Sequence, residues 1–508
     1  MPVCILPKGS APMLDCIKQE ANMTQTENGA AAYVSTGFDC LDLFATVGAL
    51  RRESDAEIIA RFVRAYTEAP DTAMKLLFFA RDIRGGLGER RVFRVILSWL
   101  AANEPESVRK NLAYVPEYGR FDDLYALMGT PCEKDMFAVL KSQFDRDTDA
   151  LKNGRPVSLL AKWLPSVNAT DPNARTNGKK TAKAFGLSDA AYRKALSALR
   201  AEIRIIENNL RERDYTFDYT AQPSRALFKY RKAFARNDGK RYRAFIRAVN
   251  AGEAVLHADN VAPYELVDPY LADGRYGIGR SFMRDITPEE KDTLNATWAS
   301  LPDFGGSENA LAVIDTSGSM YSGGKPTPAA VALSLGLYFA EHNTGAFSRY
   351  FIEFSARPQL IKVVGATFAD RLRYVTSFCK VANTDIEAVF DLILNAAVKN
   401  HVPQSELPAK LIVISDMEFD ACVEHGSAVN FRNAQEKYEA KGYRLPQIIF
   451  WNVASRNRQQ PVTQNEQGVA LVSGVTPRLF AMVAGGILSP YTFMTEVLGS
   501  ERYAKITA

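Results

Sequence analysis

Histidine is scarce in this 508-residue chain, with 4 in all, and the 6 cysteines are scattered: Cys4, Cys16, Cys40, Cys132, Cys379 and Cys422. Zinc ribbons and dithiol redox motifs need closely spaced pairs, which these positions do not offer. Reduced, mostly buried thiols are what remains. No run of about 18 uninterrupted apolar residues occurs, so no transmembrane helix is expected. Residues 1–10 lack the charged segment, apolar run and cleavage site of a secretory signal, and a cytoplasmic protein is the expectation. A G-x-x-x-x-G-K-[ST] phosphate loop is missing too. Gly323-Gly324-Lys325 follows no strand and lacks the leading glycine, so it reads as a turn. Haem, flavin, nucleotide and zinc are therefore not expected as cofactors.

The composition that is present, 47% hydrophobic and 24% charged, is that of a globular chain and excludes a disordered, fibrous or coiled-coil protein. At roughly 150 residues per domain, the length allows two to four domains. A net charge of +4 hides a local asymmetry. Residues 301–508 hold 18 Lys+Arg against 19 Asp+Glu, whereas residues 151–250 hold 22 against 8, a net +14. One hundred residues thus carry a concentrated positive field.

Residues 1–36 are small, polar and aperiodic, and read as a loosely held leader. From 37 to 300 the pattern is helical. Ser54 with Glu57 makes a capping box before Ile58, Ile59, Phe62, Val63 and Tyr66. A second helix runs from Pro70 to Ile83 and stops at Gly85-Gly86, where a left-handed cap suits glycine. A third buries Val92, Phe93, Val95, Ile96 and Trp99. Tyr192, Leu196, Leu199, Ile203, Ile206 and Leu210 define one long helix. Short connections suggest an α-solenoid, although no fixed period is visible. From 305 to 490, runs of strand length alternate with helices, which predicts a doubly wound α/β domain with a mostly parallel sheet. Residues 491–508 are left as a tail.

Within that second half, Leu311-Ala312-Val313-Ile314-Asp315 is a buried strand ending in an acid and followed by Thr316-Ser317-Gly318-Ser319. The D-x-S-x-S spacing puts one carboxylate and two hydroxyls on one tight loop. Thr384 and the strand-end Asp416 belong with it. All five groups, Asp315, Ser317, Ser319, Thr384 and Asp416, offer hard oxygens suited to an octahedral divalent ion. Magnesium fits best, and manganese fits as well. The plain alternative is that such residues only cap the helices that follow. The pattern resembles the metal-ion-dependent adhesion site of von Willebrand factor A domains. The resemblance implies that an open coordination position accepts a carboxylate from a partner protein. Metal hydrolysis needs a base or second metal nearby; Asp385, Glu387 and Glu418 read as solvated loop acids, and no enzyme is expected.

The basic block is patterned. Arg225, Lys229, Lys232 and Arg236 recur at helical spacing opposite Leu227, Tyr230 and Phe234. After the Asn237-Asp238-Gly239 turn, Lys240, Arg243 and Arg247 repeat the device against Tyr242, Phe245, Ile246 and Val249. Lys179, Lys180, Lys183, Arg193 and Lys194 lie upstream. Such stripes suit phosphate binding without sequence readout; the plain alternative is a solvated basic face.

Several runs look like a family of bacterial, viral and plant proteins that join a helical domain to a von Willebrand A-like domain. They are Arg81-Asp82-Ile83-Arg84-Gly85-Gly86-Leu87-Gly88-Glu89-Arg90, Tyr118-Gly119-Arg120-Phe121-Asp122-Asp123-Leu124, Ala161-Lys162-Trp163-Leu164-Pro165-Ser166, Pro223-Ser224-Arg225-Ala226, Lys232-Ala233-Phe234-Ala235-Arg236-Asn237-Asp238-Gly239 and Pro263-Tyr264-Glu265-Leu266-Val267. That architecture is similar to the Ro autoantigen family with its TROVE module, a ring of HEAT-like helices closed by a von Willebrand A domain. The similarity implies binding of small noncoding or misfolded RNA. The expectation is a monomeric, non-enzymatic, Ro-like RNA-binding protein with a magnesium adhesion site and no membrane partner. The alternative is a metal-dependent protein–protein adaptor without RNA binding.

Overall fold

The computed structural model describes residue 13 and residues 22–203, 205–259, 261–271, 283–305, 309–321, 325–355, 357–378, 385–420 and 430–508. The chain divides into two compact units: Ser54–Asp218 with Ser500–Ala508, and Met1–Glu53 with Tyr219–Gly499. Among the described residues no helix is long and apolar enough to cross a membrane.

The first unit is helical. Helix α1 (Asp55–Glu68) starts at Ser54, whose side chain accepts the Glu57 N–H at 3.1 Å. Helix α2 (Pro70–Arg81) has proline in its first turn, where a missing N–H costs nothing. With α3 (Arg91–Asn103) these helices bury Phe62, Phe78 and Phe93 completely. The glycines after α2 serve close approach more than capping. A Cβ on Gly86 would lie 2.0 Å from the Phe79 carbonyl oxygen, and the positive φ falls on Gly88 at 72°. Further on come α4 (Glu133–Lys152), α5 (Pro172–Ala184) and α6 (Asp189–Glu202). The long helix expected through Leu210 stops at Glu202, and a separate short helix covers Ile206–Glu212. The β-branched run Ile203, Ile205, Ile206 disfavours continuation, and the Asn208 side chain takes the Arg200 carbonyl at 2.9 Å.

Buried charges hold this unit together. Arg81, 2% exposed, pairs with the fully buried Asp123 at 2.7 Å, and Arg94 reaches both Asp122 and Asp123 at 2.7 Å. The Arg120 guanidinium lies 3.9 Å from the Trp163 ring centre. Gly119 is forced: a Cβ there would sit 2.4 Å from Asp123 Oδ2. The segment Ser500–Ala508, expected to be part of a tail, docks here. Arg502 clamps the Asp82 carboxylate, the Tyr503 hydroxyl donates to it at 3.0 Å, and Ile506 is fully buried.

The second unit opens with an antiparallel hairpin, β1 (Met23–Gln25) and β2 (Ala31–Tyr33). Residues 22–36, expected to be loose, are knit down by Thr26 Oγ1 on the Phe419 carbonyl at 2.5 Å and by backbone pairing of Tyr33 with Gln460. Helices α7 (Ser224–Asn237), α8 (Gly239–Asn250) and α9 (Pro288–Ala299) also belong to this unit, although the sequence pattern grouped them with the helical half. Trp298 of α9 stacks at 3.9 Å on Phe368, the first residue of α11 (Phe368–Thr376), and donates to Glu341, both of them residues of the α/β part.

The sheet strands are β3 (Ala310–Asp315), β4 (Tyr350–Phe354), β5 (Gln359–Lys362), β6 (Lys410–Ser415), β7 (Gln447–Asn452) and β8 (Val469–Ser473), in the order β5-β4-β3-β6-β7-β8. Every pairing is parallel except β4 with β5. Strands β3, β6 and β8 are buried along their whole length, as expected when helices cover both faces. Leu311, Val313, Leu411 and Val413 face a core with Val389, Phe390 and Tyr438, from α12 (Ile386–Asn400) and α13 (Asn430–Ala440). On the other face Ile314 meets α10 (Pro328–His342) at Gly336, where a Cβ would stand 2.1 Å from Ile314 Cδ1. Helix α10 is apolar all round and buried from Pro328 to Ala340, as a central helix must be.

Replacing Asp123 by Asn leaves Arg81 buried without its countercharge. Loss of one partner of a buried pair costs roughly 3–5 kcal/mol, and urea denaturation should register a loss of that size. A loss under about 1 kcal/mol, the scale of an exposed pair, would show that the Arg81–Asp123 pair is not what holds these helices.

Candidate functional site

The strand order makes one place on the sheet special. Connections from β3 and β6 leave toward opposite sides, so a crevice opens at the carboxyl ends of this adjacent pair, where α/β sheets bind ligands. Asp315 closes β3 and Asp416 follows β6 directly, with Ile314 and Ile414 as register partners. The fold thus brings Asp315, Ser317, Ser319 and Asp416 to one strand-end crevice. Thr384 lies outside the described residues. Asp385 beside it caps α12, its carboxylate accepting the Ala388 N–H at 3.0 Å.

Both acids are buried, Asp315 at 0% and Asp416 at 2% exposure. Asp315 Oδ1 accepts the Ser317 N–H at 2.8 Å, and Oδ2 accepts the Ser415 hydroxyl at 2.6 Å. The Ser317 and Ser319 hydroxyl oxygens stand 3.1 Å apart. Burial, and after it the Asp416 charge, push the Asp315 carboxyl up to about 7. Two like charges in a dry crevice call for a cation. One is present within the chain: Arg456 donates to Asp416 Oδ2 at 2.8 Å and pairs with Glu27 of the hairpin at 3.2 Å. Asp416 Oδ1 accepts the Glu418 N–H at 3.3 Å. On the neighbouring strand β4 the buried Glu353 accepts the Thr316 hydroxyl at 3.3 Å.

The loop after β6 is bent to serve these contacts. Met417 has φ +67°, a left-handed conformation costing an ordinary L-residue roughly 1–2 kcal/mol. In return its N–H reaches Ser415 Oγ at 3.0 Å. Glu418, read from sequence as a solvated acid, is buried and accepts from the Asn457 amide at 2.9 Å and the Gln459 amide at 2.7 Å. Ser415 and Arg456 escaped the sequence reading. Ser415 had a signal, a lone hydroxyl directly after the apolar run Leu411–Ile414, whereas Arg456 had none.

Two carboxylates and two hydroxyls form a hard-oxygen set that fits magnesium or manganese. Among the described residues, no group of three or more His, Cys, Asp or Glu side chains is gathered to hold a metal ion, so a site here must draw on the serines.

With this geometry in hand, the comparisons with known proteins are informative about extent. Residues 26–128 and 168–303 match the model of a domain of unknown function, DUF2828. Residues 309–487 match that of another domain of unknown function, DUF7788. An uncharacterized protein of Acanthamoeba polyphaga mimivirus is 26% identical over 532 residues, covering 95% of this chain and 90% of its own. The similarity therefore spans both units, and the second domain match runs from just before β3 to beyond β8.

The basic residues divide between the units. Lys179, Lys180 and Lys183 lie on α5 and Arg193 and Lys194 on α6, in the helical unit. Arg225, Lys229, Lys232 and Arg236 lie on α7, and Lys240, Arg243 and Arg247 on α8, in the sheet unit. All twelve are exposed. Leu227, Phe234, Tyr242, Phe245 and Ile246 are buried beneath them, as their spacing predicted. The stripe is not free of acid, however. Arg225 pairs with Glu265 at 3.4 Å and Arg243 with Glu289 at 3.9 Å, both acids arriving from distant segments.

Ser415 links the two acid-bearing loops, so Ser415→Ala should leave Asp315 Oδ2 and the Met417 N–H short of partners. The expected loss of stability is about 1–3 kcal/mol by chemical denaturation. A variant as stable as the parent would mean that the loops are held by other contacts.

Proposed function

We propose that the protein is a non-enzymatic binding protein whose sheet unit holds a divalent cation and docks an acidic group of a partner protein, as the resemblance to von Willebrand A domains implies. The observation that carries this reading is the meeting of Asp315, Ser317, Ser319 and Asp416 at the switch point of a mostly parallel sheet. Asp315, Asp416 and the two serines would hold magnesium or manganese, with Thr384 as the expected fifth group. A bound ion would supply an electrophilic position for a carboxylate oxygen. Ser317 N–H and the Ser415 hydroxyl fix the orientation of Asp315 for that task. A hydrolytic role has less support, because Glu353, the further carboxylate on the neighbouring strand, is engaged by the Thr316 hydroxyl.

Magnesium should stabilise the full chain by RT ln(1 + [Mg²⁺]/Kd), about 2.7 kcal/mol at a hundredfold excess over Kd. Thermal denaturation across a magnesium titration reads this directly, and Asp315→Ala should abolish it. The absence of any shift, or an equal shift in the variant, would count against the site.

A second reading, Ro-like RNA binding with HEAT-like helices, rests on the exposure of all twelve predicted cations. Changing Arg225, Lys229, Lys232 and Arg236 together to Glu should weaken RNA binding similarly across sequences. Each lost phosphate contact should flatten log affinity against log salt by roughly 0.7 for single strands. Unchanged affinity in a variant with native circular dichroism would demote the stripe to a solvated face.

A further inference from the structure

Arg456 is the feature of the crevice that the metal reading does not absorb. It leaves the loop after β7, the strand beyond β6, and its guanidinium bridges two carboxylates of different status. Asp416 is 1% exposed at its side chain and would be a metal ligand; Glu27 is 48% exposed and sits on the N-terminal hairpin. The contacts are 2.8 Å to Asp416 Oδ2 and 3.2 Å to Glu27 Oε2. A guanidinium and a divalent ion drawn to the same carboxylate oxygen repel one another, so the two compete for it. The two partners give the arginine somewhere to remain when Asp416 is claimed by another cation.

We propose that Arg456 is a built-in counter-cation that occupies Asp416, competes with the divalent ion and so sets the affinity of the site, with Glu27 as the acceptor that retains the guanidinium once Asp416 is released. The inference rests on the metal reading above and goes beyond it. It makes metal affinity depend on the hairpin, a segment nearly 400 residues away in sequence. The hairpin is fixed beside the crevice by the Glu27 N–H on Glu418 Oε2 at 2.8 Å and the Asn28 amide on the Glu418 carbonyl at 2.7 Å. The Asn457 amide spans the same gap, donating to Glu27 Oε1 and to Glu418 Oε1, both at 2.9 Å. A partner that pulled Glu27 away would change the site's appetite for metal without touching a ligand.

The test is manganese binding to the full-length protein, read by the loss of the free-ion electron paramagnetic resonance signal. Arg456→Gln should bind Mn²⁺ about tenfold tighter or more than the parent, since a full positive charge leaves the site. Arg456→Lys, which keeps the charge, should stay near the parent. Glu27→Gln, on an exposed side chain, should bind more weakly; it keeps the question decidable if Arg456→Gln does not fold. Asp315→Ala supplies the separate control. If Asp315→Ala abolishes binding while Arg456→Gln and Glu27→Gln match the parent, the counter-cation role is overturned and the metal site stands. If manganese binds neither the parent nor Arg456→Gln, or binds Asp315→Ala unchanged, the metal site falls and this inference with it.

Discussion

Two carboxylates buried side by side at the ends of β3 and β6 set the terms for the rest of the sheet unit. A buried ionised acid is tolerated only when hydrogen bonds and an opposite charge compensate for lost hydration. Asp315 receives a serine hydroxyl and a backbone N–H, and its carboxyl is still pushed upward by burial and by Asp416. Asp416 receives a backbone N–H and the guanidinium of Arg456. The left-handed turn at Met417, the serine in an apolar strand and the hairpin laid over the loop after β6 follow from that demand. A site that so needs positive charge is also one that a divalent cation suits.

The helical unit solves a related problem with permanent partners. Arg81, Arg94, Arg120, Asp122 and Asp123 form a network in which every charge has an opposite within 3.0 Å. Asp82 is answered by Arg502 and Tyr503 from the far end of the chain; burial pushes its carboxyl up, but Arg502 and the backbone N–H groups of Arg84 and Gly85 together hold it below its ordinary range. The glycines in these motifs are steric: Gly86 and Gly119 admit backbone or charged groups where any Cβ would collide. This network is closed on itself, whereas the crevice cluster includes an arginine shared with an exposed acid. On the proposal made above, the difference separates a charge cluster that stabilises from one that exchanges its cation.

Much of this was legible in the sequence wherever the signal was local. Strand β3 begins one residue before the expected Leu311 and ends at the expected Asp315, because buried parallel strands read as continuous apolar runs. The capping of α1 by Ser54 and the break between α7 and α8 at Asp238 were equally visible. Partnerships across long sequence separations were not. Nothing near Arg456 announces Asp416, nothing near Arg502 announces Asp82, and Arg225 meets Glu265 only after folding. That α7, α8 and α9 pack with the sheet unit was out of sight for the same reason, since helical periodicity cannot say that Trp298 will stack on Phe368.

The divalent-cation site proposed at the carboxyl ends of β3 and β6 is built from Asp315, Ser317, Ser319 and Asp416. Crystals grown with manganese and measured at its absorption edge address it most directly. One strong anomalous peak is expected in the crevice, with the oxygens of those residues, or waters they hold, at roughly 2.0–2.2 Å. A crevice without anomalous signal at saturating manganese, with Arg456 still on Asp416, would contradict it.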